Sequence, residues 1–188
     1  GAKAIARALE GNETLKYLDL SGNAFSDEAT TAIGKALAQN ETAQFERLVL
    51  SNFTWKKNRK AWHLSGKGLT DNDKRGIEAM LQIKVLKWTS INLSNSEIGD
   101  EGAKAIARAL EGNETLKELD VSANAFGETG ANALLPHAKI IGASLGWKGV
   151  NSEKWDISGK KLTDGDMLLI EPLLRTMRNL KSLNLRKN

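Results

Sequence analysis

Tryptophans and cations alternate in one short run, Trp55-Lys56-Lys57-Asn58-Arg59-Lys60-Ala61-Trp62. Aromatic faces can stack on bases or anchor in a protein surface, while neighbouring cations meet phosphates or carboxylates. A formal net charge of +4 is modest for a dedicated nucleic-acid binder and argues against that use. A second copy, Trp147-Lys148-Gly149-Val150-Asn151-Ser152-Glu153-Lys154, is far less basic, which argues against a repeated phosphate-binding role. An acidic protein surface is the partner these segments suit best. The competing reading gives Trp62 and Trp155 to the core and leaves the lysines to keep a loop soluble.

Catalytic chemistry has little to work with. His63 and His137 are the two histidines, and neither has a nucleophile beside it in sequence. There is no cysteine, hence no thiol nucleophile, zinc knuckle or disulfide framework. Gly66-Lys67-Gly68-Leu69-Thr70 and Gly159-Lys160-Lys161-Leu162-Thr163 carry the Gly-Lys pair of a phosphate loop. Ala61 and Lys154 stand where that motif needs its first glycine. Asp164 and Asp166 lack the rest of a calcium loop, and helix capping explains them better. We expect no enzyme, no metal and no cofactor.

The elements that would position these residues are organised by a duplication. Residues 1–16, GAKAIARALEGNETLK, recur unchanged as residues 102–117, dividing the chain into 1–101 and 102–188. Within it runs a finer pattern, Leu15…Leu18…Leu20…Asn23, which returns at Trp88…Ile91…Leu93, Leu116…Leu119…Val121…Asn124 and Leu180…Leu183…Leu185…Asn188. Alternating apolar residues mark one face of a short strand. In the copy 102–113, Ala103, Ile106, Ala107 and Leu110 form a helical stripe, with Lys104, Arg108 and Glu111 facing out. Gly112-Asn113 supplies a helix stop, and Thr70…Asp73 and Thr163…Asp166 read as capping boxes. A strand, turn, helix and return loop fit the 28- or 29-residue spacings Trp62→Ile91, Ile91→Leu119 and Trp155→Leu183. One such unit cannot cover its own apolar face, whereas stacked units can.

The motif LDLSGNAF and the helix GDEGAKAIARALEGNETL resemble the ribonuclease-inhibitor class of leucine-rich repeat, also found in NOD-like receptors and Ran GTPase-activating proteins. The resemblance implies an α/β solenoid: a curved parallel sheet on the concave face and about six helices on the convex face, with no common catalytic site. On that architecture, alternation places Tyr17, Arg47, Ala61, Ser90, Glu118, Ile140, Lys154 and Ser182 in one exposed column. Asp19, Val49, His63, Asn92, Asp120, Gly142, Asp156 and Asn184 form the next, and Ser21, Ser51, Ser65, Ser94, Ser122, Ser144 and Ser158 a third, expected to satisfy turn backbone. Candidate partner-binding residues are Tyr17, Asp19, Arg47, His63, Asn92, Glu118, Asp120, Lys154, Asp156 and Asn184 on this face. Trp55, Lys56, Lys57, Arg59 and Trp147 are expected to flank it as anchors.

Departures from the pattern carry further expectations. Leu48→Trp62 and Ile141→Trp155 span only 14 residues each, too few for a helix, so 51–62 and 144–155 should be matching hairpins or long loops between strands. Their offset of 93 against 101 implies eight residues lost between Phe126 and Ser144, and therefore a short helix near 131–137. Residue 1 falls mid-repeat and neither end carries a visible cap, so 1–188 reads as one domain cut from a longer array. No signal peptide or spanning segment is apparent, which suggests an intracellular protein. The functional expectation is a non-catalytic protein-interaction scaffold. The alternatives are a regulator of an enzyme, of GTPase-activating or inhibitor type, and a structural subunit of a larger assembly.

Overall fold

A computed structural model describes residues 1–23, 25–50, 53–56, 60–66, 77–78, 81–83 and 86–188, the side chains of Asp27, Leu50, Phe53 and Trp55 excepted. Short strands recur along the chain with helices between most of them. The strands are β1 (Tyr17–Asp19), β2 (Arg47–Leu50), β3 (Phe53–Lys56), β4 (Ala61–His63), β5 (Ser90–Asn92), β6 (Glu118–Asp120), β7 (Lys154–Asp156) and β8 (Ser182–Asn184). The helices are α1 (Ala2–Leu9), α2 (Asp27–Gln39), α3 (Asp100–Leu110), α4 (Glu128–Leu134), α5 (Ala138–Ser144) and α6 (Asp164–Thr176). The Thr163 capping box opens α6. The expected box at Thr70 and Asp73 lies outside the described residues.

Repeat-to-repeat pairing is parallel and in the register the leucine spacing dictates. Leu18 pairs with Leu48, Trp62 with Ile91, Ile91 with Leu119, and Trp155 with Leu183. The strands nevertheless form three sheets, β1-β2-β3, β4-β5-β6 and β7-β8, and not the single continuous sheet expected. One break follows β3, which turns back antiparallel on β2, so residues 53–56 take the hairpin form, one of the two expected for that stretch. The other break corrects the sequence reading. Residues 138–144, which alternation placed on the strand face through Ile140, Gly142 and Ser144, form helix α5.

The reason is visible in what α5 buries. Ala138, Ile141, Gly142 and Leu145 are buried at spacings of three, one and three, a helical stripe that outweighs the two-residue alternation. Short helix α4 ends at Leu135–Pro136–His137, a single 3₁₀ turn, and α5 restarts beyond it. Helix α5 then covers the edge of β6. The Ser144 hydroxyl donates to the Leu119 carbonyl at 2.9 Å, occupying an acceptor that a further strand would otherwise have used. The 144–155 stretch is consequently a loop between helix and strand, unlike its counterpart at 51–62.

A continuous core runs from Ala6 to Leu169 beneath the first two sheets, and a second cluster gathers Ala138, Leu145, Trp155, Ile157, Ile170, Leu173 and Met177 beneath the third. Trp62 is buried and stacks on Trp88, ring centroids 5.2 Å apart and 11° from parallel. The core reading of Trp62 and Trp155 therefore holds. The duplicated helix shows how neighbours make the core: Ile106 in α3 is 2% exposed, whereas its twin Ile5 in α1 is only partly buried. Identical residues differ in burial because α3 sits deeper among packed elements, which is how a stacked repeat gains stability.

Candidate functional site

Four strands, β1, β5, β6 and β7, end in the same polar turn. Asp19, Asn92, Asp120 and Asp156 each accept both the backbone N–H and the hydroxyl of the serine two residues on, at 2.6–3.1 Å. The serines at 21, 94, 122 and 158 thus bind a neighbouring side chain and not the turn backbone expected of them. These bonds hold the carboxyls of Asp19 and Asp156 below the ordinary aspartate range, led by the Ser21 hydroxyl for the first and the Ser158 N–H for the second. The side chains on the strand face are therefore fixed from below.

Two residues beyond the serine the turns are clasped across repeats. Asn124 is 3% exposed; its oxygen accepts from the N–H groups of Ser96 and Ile98, both at 3.0 Å, and its amide donates to the Leu93 and Val121 carbonyls at 3.0 and 2.7 Å. Asn188 does the same for Lys160, Leu162, Ile157 and Leu185. Backbone bonds run alongside, Gly66 N–H to Ser94 and Asn95 N–H to Ser122, each 3.0 Å. At the break after β6 no further turn follows, and the Ala123 N–H donates instead to the Asp166 carboxylate at 3.0 Å.

Asp166 therefore closes the ladder as well as capping α6, where it accepts from the Thr163 N–H and hydroxyl. Burial pushes its carboxyl above the ordinary range; the donors from Thr163 and Ala123 pull it back and Asp120 adds to the rise. A raised folded value means the stability tied to the protonated form is full below the ordinary aspartate value of about 3.9. It is lost as pH rises through the folded value. Asp166→Asn cannot titrate, so the stability gap between the original protein and this variant is expected to narrow from pH 3 to pH 7. Denaturation at several pH values checks this, and a gap that widens with pH contradicts it.

The sheets bring most predicted partner-binding residues into rows. Tyr17, Arg47 and Lys56 lie side by side across β1, β2 and β3. Tyr17 is 65% exposed, and its hydroxyl donates to Glu46 at 2.7 Å, which raises its own pKa. Arg47 approaches Asp19 at 3.8 Å. The middle sheet aligns Ser90 with Glu118, and His63 with Asn92 and Asp120. The last aligns Lys154 with Ser182, and Asp156 with Asn184.

Other expectations fare differently. Lys57, Arg59 and the Trp55 side chain lie outside the described residues. Trp147 is no exposed anchor: it is partly buried, packs against Gly142 and the second core cluster, and its indole N–H is buried without a partner among the described residues. Ile140, Gly142 and Ser144 leave the face with α5. Sequence reasoning missed Glu46 beside Tyr17 and the closing role of Asp166, which links residues 43 apart. Among the described residues no cluster of three His, Cys, Asp or Glu could hold a metal, and no helix is long and apolar enough to cross a membrane.

With this geometry in hand, comparison with known proteins is informative. The leucine-rich-repeat family model matches residues 11–34, 89–107 and 112–135, the stretches that hold β1, β5, α3, β6 and α4. These three stretches carry leucine-rich repeats. It is similar to ribonuclease inhibitor of Sus scrofa, 28% identical over 162 residues, covering 77% of this chain and 35% of that protein. It is also similar to the Cep78 homolog of Drosophila melanogaster, 27% identical over 168 residues, 71% of this chain and 20% of that protein. The chain spans about a third of the length of the first relative and a fifth of the second.

Proposed function

We propose that these repeats form one leucine-rich-repeat solenoid domain whose strand face is a non-catalytic recognition surface for a protein with an acidic patch. The row Tyr17–Arg47–Lys56 carries the reading. Arg47 and Lys56 stand directly opposite in an antiparallel pair, a placement of like charges that costs stability on its own. A carboxylate arriving from a partner would turn that repulsion into attraction. Tyr17 supplies a rigid, exposed aromatic beside them, held by Glu46, and tyrosine and arginine are the residue types that dominate binding energy at protein interfaces. The ribonuclease-inhibitor resemblance supports a binding role in general terms, and comes to this chain as a proposal.

Because Tyr17 and Arg47 are exposed, truncating either should leave thermal stability nearly unchanged. Tyr17→Ala and Arg47→Ala should each weaken the partner by about 10- to 100-fold, or roughly 1.4–2.8 kcal/mol. A photo-crosslinking residue at position 17 would capture that partner for binding measurements. Crosslinks from the helices but none from position 17, or unchanged affinity in both variants, would remove this reading.

A further inference from the structure

A polar cleft of about 400 Å³ opens where the strand ladder breaks, between the turns after β4, β5 and β6 and the turn after β7. Ser65, Asn92, Asn95 and Asp120 line one side, and Lys160 and Lys161 the other. What matters is which polar groups are already engaged. The Asp120 carboxylate takes the Ser122 N–H and hydroxyl on one oxygen and the Asn92 amide on the other. The Asn92 oxygen takes the N–H and hydroxyl of Ser94. The side-chain acceptors of Asp120 and Asn92 are therefore engaged internally.

The donors are not. Both lysines are exposed, and neither ammonium meets a carboxylate or another acceptor among the described residues. The Asn95 amide and the Ser65 hydroxyl are likewise exposed and make no side-chain hydrogen bond among them. A pocket of spare donors with two cations on its rim selects a ligand rich in acceptors and negatively charged. We propose that this cleft is an oxyanion site that takes a carboxylate or a phosphate, with Lys160 and Lys161 as its charged ligands. The site does not depend on the Tyr17 row, which lies on another sheet.

Nuclear magnetic resonance titration of the 188-residue chain tests it with two probes, inorganic phosphate and an end-blocked tetraglutamate peptide. Saturable shifts are expected at the amides of Gly66, Asn95, Gly159, Lys160 and Lys161. Lys160→Gln/Lys161→Gln should weaken binding at least tenfold. Lys35→Gln/Lys139→Gln removes the same charge at exposed positions outside the cleft, and should stay within twofold of the original. Saturation by phosphate alone, or by the peptide alone, identifies which oxyanion the cleft takes. No saturation by either probe, shifts centred elsewhere, or equal losses in the two double variants would overturn the proposal.

Discussion

Trp155→Ala is expected to lower the unfolding free energy by about 3–5 kcal/mol, the range for deleting a fully buried large aromatic. The indole is 1% exposed and sits in the second core cluster with Ile157, Ile170, Leu173 and Met177. Its N–H donates to the Leu145 carbonyl at 2.9 Å, fastening β7 to the end of α5. Truncation removes the apolar contact area and leaves that carbonyl without its donor, so cavity and polar costs add. For a chain of this size the loss corresponds to a fall in Tm of roughly 6–20 °C. Hydrogen exchange should speed up first in α5, β7 and α6, which share this cluster, before the core around Ile91 and Leu119 is affected. A loss under about 1 kcal/mol would mean that Trp155 is not the keystone of this region.

Asn124→Ala should be comparably damaging despite removing only an amide. Its side chain serves two N–H groups and two carbonyls of buried turns, and none of these makes another hydrogen bond among the described residues. Each buried group left unsatisfied costs about 1–3 kcal/mol, so a net loss of about 3–5 kcal/mol is expected after partial relaxation and water entry. Asn23→Ala is the natural control. Asn23 is exposed and, among the described residues, donates only to Leu20 and Ser21, at 3.1 and 3.3 Å, so its loss should cost well under half as much. Equal effects at 23 and 124 would show that the clasp between repeats contributes little.

The contrast between these residues indicates what could be read from the sequence. The asparagine of the repeat, the helical stripe of α3 and the core positions of Trp62 and Trp155 are local patterns, and each is realised at its expected place. Parallel register followed from the 28- and 29-residue spacings. Residues 138–145 misled because Ile140, Gly142 and Ser144 alternate like a strand. The same stretch carries Ala138, Ile141, Gly142 and Leu145 at helical spacing, and burial against Leu173 and Trp155 decides in favour of the helix. That competition could be seen in the residues, but its outcome depends on packing partners distant in sequence.

The proposed binding face was legible as columns and not as rows. Alternation alone put Tyr17 and Arg47 in one column, but the antiparallel arm β3, which sets Lys56 beside Arg47, is a tertiary pairing. Asp166 is a similar case. Its capping box is a four-residue motif, yet its bond to Ala123 exists only because α5 displaced the strand that would otherwise have supplied an acceptor. The cleft beside it opens at the same break.

The central claim is that β1 pairs in parallel with β2, β4 with β5, β5 with β6 and β7 with β8, and that α5 interrupts this stacking between β6 and β7. Cross-strand nuclear Overhauser contacts measure it most directly. Close backbone proton contacts are predicted for Leu18 with Leu48, Ile91 with Leu119 and Trp155 with Leu183, with none between the backbones of Leu119 and Trp155. Antiparallel contacts in any of the first three pairs, or a strand-type contact linking Leu119 to Trp155, would contradict the account.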